Sequence, residues 1–181
     1  MKTSLSLIAA HGFHRTPVSL IAKRAKVSVG TIYIYFESKD ILIMNLYHEL
    51  ESKIFAAVTT GYSDTKSIRE RYIYLCTKLL RYFLENPVHF RFLEQYYHSP
   101  YGMSTQEGKV LRGSRDQNEF HNLFQQGIAQ QVLKDLPVFV FEDLTFSLLF
   151  ALARNVILGV FMLNDALIFT SIEACWDGLK R

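Results

Sequence analysis

Two short helical periods, each opened by a capping signal and separated by only a few residues, constrain this chain more than any other feature. Thr16-Pro17 opens the first, threonine being a favoured N-cap and proline a favoured first helical residue. Val18, Ile21, Ala22 and Ala25 then recur at i, i+3, i+4 and i+7 and define one apolar face. Lys26-Val27 leaves room only for a tight turn. Ser28 caps the second period, whose expected inner face is Val29, Ile32, Tyr33 and Phe36. Upstream, residues 3–11 form a third period with Leu5, Ile8 and Ala9 on one face, stopped by Gly12. Phe13 is expected to point back into the small core the three share. Two helices joined by a short turn make a helix-turn-helix, whose second helix can enter a DNA major groove with its leading residues at base edges.

The rest of the chain reads as helices alone. Ser38 caps a long one over residues 38–60, with Leu42, Leu46, Leu50, Ile54 and Val58 every four residues. Gly61 to Asp64 breaks it. Helices follow over residues 66–85 and, after Asn86-Pro87, to His98. Residues 99–113 read as a loop, 114–131 as a helix, 138–163 as a long helix and 166–179 as a last one. The expected fold is all-α: a three-helix DNA-binding domain over residues 1–45 and a helical ligand-binding and dimerisation bundle over residues 46–181.

Charge follows that division. The 181 residues carry a formal charge of +3. Residues 1–45 hold six basic and two acidic side chains, and the remainder holds fourteen basic and fifteen acidic. A basic end on a near-neutral body suits contact with nucleic acid, although a solvated face gives the same count. The two cysteines, Cys76 and Cys175, lie far apart without metal-site spacing, which fits buried thiols in a reducing cytoplasm. The short apolar run after Lys2 is read as a helix and not a signal peptide, and the apolar stretch at 144–164, with Arg154 inside it, as a buried interface helix and not a membrane span.

The residues Thr16-Pro17-Val18-Ser19-Leu20-Ile21-Ala22-Lys23-Arg24-Ala25-Lys26-Val27-Ser28-Val29-Gly30-Thr31-Ile32-Tyr33-Ile34-Tyr35-Phe36-Glu37-Ser38-Lys39-Asp40-Ile41-Leu42 closely resemble the TetR-family signature. That signature runs T-x-V-x-x-I-A-x-x-A-G-V-S-x-G-T-I-Y-x-Y-F-x-S-K-x-x-L. The resemblance implies that Ser28, Val29, Gly30 and Thr31 read base edges, and that Thr16, Tyr33, Tyr35 and Lys39 contact phosphates. Gly30 would let the backbone approach closely, and Thr31 offers a hydroxyl and a methyl. Lys26 stands where the family commonly has Gly. The stretch before the first helix is short and lacks the basic arm many relatives carry, which leaves the resemblance without support for contacts from such an arm.

In the body, Phe90 to Tyr101 and Gln126 to Pro137 also look like segments of one TetR subgroup. The aromatics Phe83, Phe92, Tyr96, Tyr97, Phe120, Phe124, Phe146 and Phe150 are candidate linings of an effector pocket, with Gln95 and His98 as polar handles. Each ring is equally a core residue on a helix face. Leu148, Leu152, Val156, Gly159, Val160, Leu163 and Trp176 are candidates for a homodimer interface. Family resemblance implies four helices there, two from each protomer.

Together these features predict a cytoplasmic, ligand-responsive repressor. It binds a palindromic double-stranded operator as a homodimer and is released by a small hydrophobic or aromatic effector, through movement of the fourth helix. No Gly-rich phosphate loop, nucleophile elbow or metal triad is present, so neither an enzyme nor a cofactor is expected. A helical protein-interaction module is the remaining rival, and it would lack salt-dependent DNA affinity.

Overall fold

The computed structural model describes residues 2–104 and 119–181. Its helices are α1 Lys2–His11, α2 Val18–Ala25, α3 Val29–Tyr35, α4 Lys39–Thr59, α5 Ile68–Glu85, α6 Pro87–Tyr97, α7 Pro100–Ser104, α8 Glu119–Ala129, α9 Val138–Ile157 and α10 Asp165–Leu179. One isolated antiparallel bridge joins Leu133 to Lys180. The described residues fall into two compact units, one holding 2–53 with 86–104 and the other 54–85 with 119–181. Packing therefore adds α6, α7 and most of α4 to the unit that holds the three N-terminal helices, which the linear division at residue 45 does not anticipate.

In the first unit α1 packs on α6, and Gln95 Nε2 donates to the Ala9 carbonyl at 3.0 Å. Gly12 ends α1 at φ +83°, a left-handed conformation that glycine adopts without steric cost. Phe13 turns inward as expected. Its ring lies 5.8 Å from Phe92, 6.5 Å from Tyr96 and 5.2 Å from Tyr101. Tyr96 stacks in turn on Tyr47 of α4, with centroids 4.2 Å apart.

The start of α2 differs from expectation. Pro17 occupies the N-cap position and makes no side-chain cap bond. Thr16 is fully buried, and its hydroxyl donates to the Gly12 carbonyl at 2.7 Å. The threonine thus closes the α1–α2 connection instead of capping α2. At the other end of α2, Lys26 has φ 57° and ψ 41°. The Val27 amide donates to Ala22 O at 3.0 Å and the Lys26 amide to Lys23 O at 3.3 Å. This is a Schellman closure with lysine in the position glycine usually fills.

In α3 the expected inner stripe is narrower than its spacing implied. Ile32 is buried, Phe36 is half-buried, and Val29 and Tyr33 face solvent. A seven-residue helix has too little length to turn four side chains into so small a core.

The second unit is organised around α5, which buries Tyr72, Leu75, Cys76, Leu79, Leu80 and Phe83. The Tyr72 ring lies 6.2 Å from Phe124 and 5.4 Å from Trp176, and its hydroxyl is 3.3 Å from Thr145 Oγ1. Burial raises the Tyr72 hydroxyl far above the ordinary phenol range, so it remains a neutral partner. Arg71 is also buried. Its guanidinium donates to Tyr62 Oη and to Gln126 Oε1, each at 2.7 Å. Those charge-assisted bonds offset the desolvation of the cation.

Several boundaries move. Pro100–Ser104 is helical where a loop is expected, while residues 105–113 of that loop lie outside the described residues. The helix expected over 114–131 is described as Glu119–Ala129, with 114–118 outside the described residues. The long helix expected to reach residue 163 ends at Ile157. There Gly159 takes φ +73°, its amide donates to Val156 O at 2.9 Å, and the Val160 amide donates to Asn155 O at 2.8 Å. Gly159 is a C-terminal stop for α9. Among the described residues no helix is long and apolar enough to cross a membrane.

Left-handed backbone costs a non-glycine residue on the order of 1 kcal/mol. Lys26→Gly is therefore expected to stabilise the protein by about 1 kcal/mol, read as a higher urea midpoint at unchanged m value. A lower midpoint would mean that Lys26 is unstrained.

Candidate nucleic-acid interface

Ser28 starts α3 and caps it. Its Oγ accepts the Thr31 amide at 3.0 Å and lies 2.9 Å from Thr31 Oγ1. The two hydroxyls fix one another's direction, and each keeps hydrogen-bonding capacity toward an outside partner.

The outward side of α3 is unusual for a free protein surface. Ile34 is 80% exposed, Tyr35 74% and Tyr33 48%. Val29 is exposed beside them, as is Val27 in the preceding turn. So many large side chains in water on one short helix mark an interaction surface. Lys23, Arg24 and Lys26 are exposed around the end of α2. Gly30 lies among these residues without positive φ. A Cβ added there would approach nothing closer than Ser28 Oγ at 3.7 Å. The chain's own packing does not require glycine at this position, and its effect is to leave the face flush.

Lys39 opens α4, where a cation is unfavourable for the helix dipole. Its Nζ donates to the Phe13 carbonyl at 2.5 Å. An ammonium has three donors, so two remain for another partner. Asp40, next to it, accepts from the Tyr101 hydroxyl at 2.8 Å. Burial and the bond to Asp40 push that hydroxyl up to about 12, so it stays a donor at neutral pH.

The structure brings Ser28, Val29, Gly30, Thr31, Tyr33 and Tyr35 together on and beside α3, with Thr31 and Lys39 half-buried and the others exposed. Thr16 leaves this set, because its side chain is fully buried and bonded within the α1–α2 connection. Ile34 was not singled out from sequence. Its signal was present, since it lies off the apolar spacing that runs through Ile32 and Phe36.

The candidate pocket aromatics divide between the two units. Phe92 and Tyr96 are buried in the ring cluster around Phe13, and Tyr97 is half-buried in that unit. Gln95 ties α6 to α1, and His98 Nδ1 lies 2.7 Å from the Glu94 carbonyl of its own helix. The other five rings lie in the second unit. Phe83 packs edge-on against Phe150 at 5.1 Å, Phe120 against Phe146 at 5.1 Å, and Phe124 stacks on Phe141 at 5.5 Å.

Of the dimer candidates, Trp176 is buried within its own protomer against Tyr72, which removes it from an intermolecular face. Leu148, Leu152, Val156 and Leu163 are half-buried, while Gly159 and Val160 are exposed. Leu144, Leu158, Met162, Leu167 and Phe169 are also exposed, Met162 by 90%. Periodicity marks these residues as apolar and carries no record of which neighbour they meet.

A short basic-flanked helix whose outer face is uncovered, on a helix-turn-helix, defines a DNA-reading class of protein. Residues 1–44 match the bacterial regulatory proteins of the tetR family, and residues 67–180 match the tetracyclin repressor-like C-terminal domain. The chain belongs to the TetR family, which is a family of transcriptional regulators and not of enzymes. An uncharacterised HTH-type transcriptional regulator of Haemophilus influenzae is 32% identical over 90 residues, 50% of this chain and 48% of that protein. The fatty acid metabolism regulator protein of Bacillus subtilis is 29% identical over 75 residues, 41% of this chain and 39% of that protein. The chain thus spans about half or less of the length of the curated relatives it matches. A TetR-family regulator structure from Vibrio parahaemolyticus is 28% identical with TM-score 0.81, covering 99% of this chain and 96% of that one. Bacillus subtilis FadR in complex with stearoyl-CoA shares the fold, with 19% identity and TM-score 0.80, covering 98% and 96%.

Thr16→Val is expected to cost about 1 to 2 kcal/mol of stability through the lost buried hydrogen bond, and to leave the salt dependence of DNA affinity unchanged. Lys39→Ala is expected to flatten that dependence by about one unit. Fluorescence anisotropy over a salt series reads both, and the reverse pattern would return Thr16 to the phosphate contacts and remove Lys39.

Proposed function

We propose that this chain is a ligand-responsive repressor of the cytoplasm that binds a palindromic operator as a homodimer and releases it on binding a small hydrophobic or aromatic effector. The observation that carries the reading is the uncovered face of α3. Ile34 and Tyr35 stand in water, while Ser28, Val29, Gly30 and Thr31 lead the helix. In the proposed complex these four meet base edges, Ile34 meets thymine methyls or sugar, and Tyr33, Tyr35 and Lys39 hold phosphates.

One helix of seven residues reads few bases. A two-fold assembly sets two such helices in half-sites about 34–36 Å apart. The exposed apolar residues Leu144, Leu158, Val160, Met162, Leu167 and Phe169 on α9, α10 and their connection support that assembly. An apolar effector is supported by the ring-lined interior of the second unit and by the FadR relative that binds stearoyl-CoA. The proposed relay is α4, whose first fifteen residues belong to the unit that carries α3 and whose last six belong to the other.

Gel shifts against genomic fragments at two salt concentrations test the reading. Salt-sensitive binding to a two-fold symmetric site is expected. Gly30→Ala is expected to stabilise the free protein by about 0.5 to 1 kcal/mol yet weaken operator binding, because the added methyl clears the chain, with Ser28 Oγ 3.7 Å away, and stands where DNA is proposed to approach. Full operator affinity in that variant would remove the flush face from the mechanism. Leu167→Glu with Phe169→Glu is expected to give a folded monomer by sedimentation, and a persistent dimer would place the interface elsewhere.

A further inference from the structure

A cavity lies wholly within the unit that carries the DNA-reading helices, apart from the ring-lined interior proposed above for the effector. It measures about 350 Å³ and opens to solvent between α1, α4 and α6. Its apolar lining is Leu5, Leu46, Leu50 and Val88, and Lys2, Lys53, His89 and Glu49 surround them. Leu46 and Leu50 form a closed floor, each being 1% exposed.

The apolar lining is aliphatic, and His89 is the one ring among the lining residues. The charged groups are two lysines against one carboxylate. Lys53 and Glu49 pair as exposed partners one turn apart on α4, a weak, solvent-screened arrangement that a competing anion can displace. Burial and the nearby Lys53 cation hold the His89 imidazole below its usual range. At neutral pH the His89 imidazole is therefore uncharged, and the positive charge rests with the lysines. The first turns of α1 and α6 border the cavity and add to the same field.

We propose that this cavity binds a small aliphatic carboxylate, with the chain on Leu46, Leu50 and Val88 and the head group between Lys2 and Lys53. At about 30 Å³ per water-sized group the volume holds on the order of a dozen heavy atoms, which selects a monocarboxylate of about eight to ten carbons. Because α1 and α4 both border it, the bound acid braces the two helices that support the reader.

Isothermal titration calorimetry of the full chain with octanoate, below its micellar concentration and without DNA, tests the site independently of operator binding. Submillimolar binding of one octanoate per chain is expected. Lys2→Gln with Lys53→Gln is expected to weaken it tenfold or more while leaving the weaker binding of octanol unchanged. Glu49→Gln, which removes the opposing carboxylate, is expected to strengthen octanoate binding several-fold. Circular dichroism establishes that each variant is folded. No octanoate binding at millimolar concentration would overturn the proposal, as would affinity indifferent to all three substitutions or equal loss of octanol.

Discussion

Phe13 is the residue on which the geometry of the reader depends. Its ring is held by Phe92, Tyr96 and Tyr101, and its carbonyl receives the ammonium of Lys39. One residue in the α1–α2 connection thereby joins α1, α4, α6 and α7. Each aromatic contact contributes about 0.5 to 1.5 kcal/mol beyond the apolar area it buries. The hydroxyl of Thr16 closes the same connection from the other side. With the connection fixed, α2 and α3 have one direction in which to leave it, so the outer face of α3 is set by packing it does not itself take part in.

That arrangement resolves what would otherwise be a conflict on α3. A helix this short contributes one buried side chain, Ile32, and leaves Tyr33, Ile34 and Tyr35 in water. Left alone it would gain little by folding. The Ser28 cap and the Schellman turn at Lys26 hold it instead. Stability is supplied by the neighbours, and packing places little demand on the identity of the outward side chains.

In the second unit the same economy of partners operates around α5. Tyr72 and Arg71 are polar groups inside an apolar bundle, and each is matched, Tyr72 by Thr145 and Arg71 by Tyr62 and Gln126. These directional bonds set the register of α5 against α8 and α9, which nonpolar contacts alone leave loosely specified. The side chains of α9 and α10 that this packing does not use are the ones left exposed and apolar.

The amino-acid order by itself determined the helical class, the punctuation of the helix-turn-helix and the residues at the tip of α3, because caps, turns and the 3.6-residue period act over a few neighbours. It also carried the family signature, since those positions are contiguous. Only the tertiary structure decided that Thr16 lies inside, that Lys39 fastens onto Phe13, that α6 and α7 pack with the reader, and that Trp176 faces its own core. A periodic apolar stripe states that a face will be covered. What covers it depends on residues dozens of positions away, brought near by the folding of the chain between them.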